Sequence, residues 1–267
     1  IYNDKMNRIV NRKFDGTHLT FPGMNPAITL LEHQKNGVWR GLQSYQVLYD
    51  QVVGAGKTFE MATLAMEMRR LGIARKPLFV VPNHLTLQWR SEFTRLYPGS
   101  NILAATPEDF SKDNRERLFS KIITGDWDAV VIGHSSLKKI GLPEETEKAI
   151  LQEQIDEIGD AIAAMKSERG DRHIIRDMEG IRARLEAKMK NKLASIGKRS
   201  KVVTFDELGI DCLMVDEIHE FKNLSYNSTM DRNPGMGNPN GSAKAFDMFV
   251  KVRWLFDTFG DKTPFIT

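Results

Sequence analysis

The stretch Gly54-Ala55-Gly56-Lys57-Thr58 constrains the fold more than any other, because it stands directly before a helix-like run at residues 59–71. A glycine-rich turn lets successive backbone N–H groups close around anionic oxygens, and the N-terminus of the helix behind it adds partial positive charge. In that arrangement Lys57 reaches the β- and γ-phosphates of a nucleoside triphosphate and Thr58 ligates Mg²⁺. The longer form of the pattern wants glycine where this chain has Gln51, so the match is to the shorter G-x-G-K-T core. The bland alternative is a flexible turn ahead of a helix.

A second feature answers the first far downstream. Cys212-Leu213-Met214-Val215 is a short apolar run of the kind that forms a buried parallel strand, and Asp216-Glu217-Ile218-His219 follows it at once. In open α/β sheets ligands bind beyond the carboxyl ends of the strands, which puts these carboxylates beside the phosphate loop. Asp216 is expected to hold the Mg²⁺ that bridges the phosphates, and Glu217 to orient and deprotonate the attacking water. The bland alternative for the tetrad is a solvated acidic turn capping a strand. Taken with Gly54, Ala55, Gly56, Lys57 and Thr58 the tetrad points to ATP with Mg²⁺.

Strand-like runs at residues 45–49, 78–81, 102–104, 129–132, 212–215 and 264–266 alternate with helix-like runs at 59–71, 84–96 and 112–123. That alternation predicts a parallel sheet with helices on both faces. With 267 residues, 41% of them hydrophobic, the chain has the material for a large core. Lys and Arg outnumber Asp and Glu by only 38 − 35 = 3, so contact with a polyanion has to come from a local patch. The lone cysteine, Cys212, sits in an apolar run and reads as a small buried hydrophobe, which fits a reducing cytoplasm. No stretch approaches the roughly 20 apolar residues that cross a bilayer, so no membrane partner is expected.

Between residues 144 and 201 the period becomes purely helical. Leu151, Ile155, Ile158, Ile162 and Met165 fall at spacings of 4, 3, 4 and 3, and Ile174, Met178, Ile181 and Leu185 repeat 4, 3, 4 beyond a breaker-rich segment around Gly170. This predicts an inserted antiparallel helical hairpin. Its first part carries seven acidic residues over 144–160 and its last part eight basic ones over 182–201, so folding back lays the two beside each other. The basic run is read as the hairpin's own complement in preference to a DNA patch. Glycine and proline mark two loops, 20–27 and 231–242. Trp89 and Phe93, four apart, belong on a buried helix stripe, and none of the six histidines has the spacing of a metal site.

From Leu30 to Thr267 the order of segments resembles the first RecA-like lobe of a superfamily-two helicase, specifically the Swi/Snf-type DNA translocases. Leu31-Glu32-His33-Gln34 resembles the glutamine-bearing segment that helps read adenine; a lone Gln34 on a helix is otherwise simply solvated. Residues 76–82 with Gln88-Trp89 resemble motif Ia, residues 130–136 motif Ib, and the acidic tetrad the DEAH-type motif II, followed by a family-like Lys222-Asn223. The resemblance is closer still to helicase-like regions of large proteins carried by phages and mobile elements, where methyltransferase modules are often fused.

The resemblance implies nucleic-acid backbone contacts at Pro82, Asn83, His84, His134, Ser135 and Ser136, with a helix N-cap as the other account of Asn83. It places His219 between the ATP site and a facing lobe. It implies double-stranded DNA as partner, and a second RecA-like lobe in the parent chain that brings arginines to the γ-phosphate. The expected organisation is a lead-in at 1–29, lobe 1 over 30–143 and 202–267, and the insertion at 144–201. Because 267 falls before the family's third motif, the chain is expected to be a fragment with weak turnover of its own. Ile218 in place of the family's usual alanine and Asp50-Gln51 ahead of the loop are departures from the pattern. Two other readings compete: an RNA helicase or restriction-type motor, and a nucleotide-gated module whose hairpin recruits a protein.

Overall fold

The computed structural model describes residues 12–167, 172–195, 203–222, 224, 242–260 and 263–267. Its strands are β1 (Gln46–Val47), β2 (Pro77–Val81), β3 (Ile102–Ala105), β4 (Ala129–Gly133), β5 (Cys212–Val215) and β6 (Phe265–Ile266). They form one sheet in the order β1-β6-β5-β2-β4-β3, with every pairing parallel. The helices are α1 (Glu32–Ser44), α2 (Lys57–Arg70), α3 (Thr86–Leu96), α4 (Arg115–Thr124), the single turn α5 (His134–Leu137), α6 (Glu144–Ser167), α7 (Arg172–Ser195) and α8 (Ala243–Phe259). This is the parallel α/β sheet that the alternation predicts, and it fits the RecA-like fold that the resemblance implies.

The strand sequences explain why the sheet is covered on both sides. Successive side chains of a strand point to opposite faces, so a strand buried on both reads as a continuous apolar run. Leu78, Val80, Val130, Ile132, Leu213 and Val215 enter one core, with Leu118, Phe119 and Ile122 of α4. Phe79, Val81, Ala129, Val131, Cys212 and Met214 enter the other, with α1, α2 and α3. Trp89 and Phe93 are 3% and 0% exposed in this second core, as their spacing requires. Burial drives the Cys212 thiol well above its ordinary pKa, which suits an inert hydrophobe.

Helices α6 and α7 pack on each other, and Lys166 pairs with Glu179 at 2.7 Å. Their apolar seam does not stand apart: Leu151, Ile155, Ile158, Ile162, Met178 and Leu185 belong to the same core as the β2–β4–β5 face. From the acidic stretch of α6, Glu153 pairs with Arg253 of α8 at 2.9 Å, while Arg182 of the basic stretch pairs with Glu186 on its own helix. The predicted breaker segment around Gly170, the end of the basic run, Asn223 and most of the loop at 231–242 lie outside the described residues. Residues 243–259, which the sequence reading leaves unassigned, form α8. Ser242 caps it by accepting the Ala245 N–H at 3.1 Å, and Gly260 at φ 80° ends it.

Because every strand is parallel, all the segments that follow strands emerge at one edge of the sheet. The phosphate loop leaves β1, residues 82–85 leave β2, α5 leaves β4 and the acidic tetrad leaves β5. Phe93 ties this edge to its support, edge-on to Phe79 of β2 with ring centroids 5.7 Å apart. Phe93→Ala should therefore lower stability by about 3–5 kcal/mol, read as a lower urea midpoint at unchanged m.

Candidate functional site

Two positive-φ glycines shape the turn after β1. Gly54 (φ 86°) has open space where a Cβ would stand, and Gly56 (φ 82°) is the residue from which α2 starts. Both conformations are free for glycine and strained for other residues. Thr58 lies in the first turn of this 14-residue helix, and the Lys57 ammonium donates to the carbonyl oxygens of Gln51 at 2.9 Å and Val52 at 3.4 Å. Gln34 is neither solvated nor turned outward. It is 5% exposed beneath the turn, and a Cβ on Gly56 would collide with its Nε2.

At the end of β5, Asp216 is half-buried and held from three directions. Its N–H donates to Val80 O at 2.9 Å, the Trp89 indole N–H donates to its Oδ2 at 3.2 Å, and the His134 Nε2 hydrogen-bonds its carbonyl at 2.9 Å. Since a carbonyl only accepts, His134 carries its proton on Nε2 here. Burial raises the Asp216 carboxyl above its ordinary pKa, against the lowering effect of the Trp89 bond. Glu217 next to it adopts φ 54° and ψ 51°. For an L-residue the left-handed region costs about 1–2 kcal/mol, and such outliers gather at functional sites. His219 Nδ1 stands 3.0 Å from Glu217 Oε2, both side chains exposed.

An open cleft of about 610 Å³ lies against Glu217, with Asp216 outside its lining. It gathers Pro82, Asn83, His84, His134 and Ser135, the strand-contact candidates from the ends of β2 and β4, with Glu217 and His219. Ser136 is not brought there, being 1% exposed. Asn83 does not cap α3. Its Oδ1 accepts the N–H and the hydroxyl of Ser135, both at 3.1 Å, and so joins the two post-strand segments. A Cβ on Gly133 would collide with the same oxygen. His84 sits in a 3-10 turn, and His134 opens α5, 6% exposed and edge-on to Phe221, not in a free loop. Burial holds its imidazole below its usual pKa.

Two cations in this cleft escape the sequence reading, Lys138 and Lys244. Lys244 pairs with Glu220 at 3.2 Å and lies 4.4 Å over the Phe221 ring. The available signal was the Ser242 cap, which would have placed Lys244 on the first turn of a helix beginning near the acidic tetrad. The phosphate-loop residues are not in the cleft lining; β6 separates β1 from β5 along the sheet.

A family model described as a probable helicase domain matches residues 39–263 of the chain. No curated protein matches it. Among the described residues, no helix is long and apolar enough to cross a membrane.

Glu60, one turn into α2, is fully buried under the phosphate loop. Gln51 Nε2 donates to its Oε2 at 2.8 Å, and Gly37 on α1 leaves the space its Oε1 occupies. Burial pushes its carboxyl up to about 7, against the lowering effects of the Gln51 bond and of His33 and Lys57. The folded state thus holds this proton more tightly than the unfolded chain does. The resulting stability is complete below the unfolded value of 4.5 and is lost as pH rises through about 7. Glu60→Gln, which cannot ionise, should match the parent near pH 4.5 and exceed it by on the order of 1–3 kcal/mol at pH 8, measured as a pH-dependent gap between urea midpoints.

Proposed function

We propose a function for a chain that belongs to the family of probable helicase domains: it is the ATP-binding lobe of a nucleic-acid-dependent ATPase that moves along double-stranded DNA in the manner of Swi/Snf-type translocases. One observation carries this reading. The phosphate loop, the Asp216-Glu217 pair and the candidate strand contacts all leave the same edge of one parallel sheet, and Glu217 lies in the strand-contact cleft itself.

The residues present fit a nucleotide with Mg²⁺. The loop has open space at Gly54, a long helix behind it, and an ammonium whose present partners are backbone carbonyls that a phosphate can replace. Thr58 and Asp216 are the ligands this reading gives to Mg²⁺, with Trp89 fixing the carboxylate from its buried side. Bound there, the cation would neutralise charge on the phosphate oxygens. Glu217 aligns the attacking water and takes its proton, and its strained backbone keeps the carboxylate at the cleft and out of a continuing helix. The bond from His134 to the Asp216 carbonyl then couples the ATP side to the strand side, because the Asn83–Ser135 link makes the ends of β2 and β4 move with it. His219 faces the second lobe, which supplies arginines to the γ-phosphate in this reading.

ATP turnover by the intact protein should be stimulated by duplex DNA, and Glu217→Gln should abolish the stimulation. Stimulation by RNA alone would reassign the substrate, and no response to any nucleic acid would favour the protein-recruitment reading. Lys57→Ala should lower kcat/KM for ATP by about 10²–10³-fold. Unchanged nucleotide binding and turnover in that variant would exclude the site. Trp89→Phe, which keeps the ring and removes the N–H, should raise the Mg²⁺ concentration needed for half-maximal turnover by about 10-fold.

A further inference from the structure

The strand contacts and the carboxylates use most of the polar groups at this edge of the sheet, but Gln34 belongs to neither set. Its carboxamide is spent entirely inside the chain. Oε1 accepts the Leu31 N–H at 2.9 Å, and Nε2 donates to Ala55 O at 3.3 Å and Gly56 O at 3.2 Å. The partners fix which way the amide points: reversing it would set an oxygen against two carbonyls and an NH₂ against an N–H. At 5% exposure, no edge of the group is left to meet a base in plane.

What these bonds do follows from peptide geometry. In a planar trans peptide the C=O and the next N–H point in opposite directions. Drawing the carbonyls of Ala55 and Gly56 toward α1 therefore aims the N–H groups of Gly56 and Lys57 away from it, toward the open side of the loop. His33, also on α1, holds the Ala55 carbonyl as well, at 2.9 Å.

Resting on the nucleotide reading above, we propose that Gln34 is a positioning residue that orients the N–H groups of the phosphate loop, and that the site takes nucleoside triphosphates by their triphosphate with little discrimination among bases. This replaces the adenine contact expected from the resemblance. A purine reader would have to break three hydrogen bonds, taking the acceptor from the Leu31 N–H and leaving the Ala55 carbonyl to His33 and the Gly56 carbonyl to the N–H groups of Phe59 and Glu60, a cost that an outward-facing glutamine does not carry.

The test uses the intact protein and three probes: ATP, GTP and inorganic tripolyphosphate as a competitor. The unaltered protein should turn over ATP and GTP with kcat/KM values within about tenfold of each other. Gln34→Ala should weaken ATP, GTP and tripolyphosphate together by about tenfold, leaving the ATP to GTP ratio unchanged. Gln34→Met, which keeps the volume and removes the donors, should repeat that parallel loss in a protein whose melting temperature is checked alongside. A loss confined to ATP, with tripolyphosphate inhibition intact, would overturn the proposal in favour of base reading. A fall in melting temperature with unchanged affinity for all three probes would also overturn it, in favour of a purely structural glutamine. If the unaltered protein binds none of the three, the nucleotide site itself is refuted, and the role of Gln34 with it.

Discussion

Everything at the functional edge depends on a sheet that is buried on both sides. With odd and even residues of β2, β4 and β5 committed to opposite cores, none of these strands can slip by one residue without exchanging its two faces. The register Val80↔Val215 and Val81↔Gly133 is thereby pinned, and with it the points where the chain leaves β2, β4 and β5. Catalytic geometry needs positions held to fractions of an ångström. Here the ends of the strands are held by packing beneath them, such as the aromatic contacts of Phe79 with Trp89 and Phe93.

The same packing supplies polar contacts that connect distant parts of the chain. Trp89 is a core residue by burial, yet its one polar atom reaches Asp216. His134 is buried against Phe221, yet bonds the carbonyl of the same aspartate. Asp216 is therefore in direct contact with α3, through the Trp89 indole, and with the segment after β4, through His134.

The sequence made the sheet readable because each strand is a short apolar run bounded by polar residues, and β5 is recovered residue for residue at Cys212–Val215. The glycine-rich loop and the acidic tetrad stood out because the chemistry proposed for them requires fixed residue types at fixed spacing. Helix α8 did not, since Phe246, Met248, Phe249, Val250, Val252, Trp254, Leu255 and Phe256 spread widely around the helix, and Lys251, in the polar series Lys244, Asp247 and Lys251, is itself buried. The contacts that complete the site were also out of reach. Trp89 and Asp216 are separated by 127 positions, and Asn83 and Ser135 by 52. Gln34 looks like any exposed glutamine on a helix until the loop 22 positions on is folded over it. Periodicity reports on neighbours along an element, and these bonds exist only between elements.

The bonds from Lys57 to the carbonyls of Gln51 and Val52 bear on which anions can occupy the loop. An ammonium already solvated by two backbone oxygens presents less than a bare charge, so an incoming ion gains only the difference between its own attraction and theirs. Singly charged ions such as chloride or a carboxylate offer little beyond what two carbonyl dipoles provide. A polyphosphate, with several oxygens and several charges, exceeds them comfortably. Under the nucleotide reading proposed above, the loop would favour a polyphosphate over the small anions of a salt solution without a steric gate, because its own backbone competes with them for the lysine.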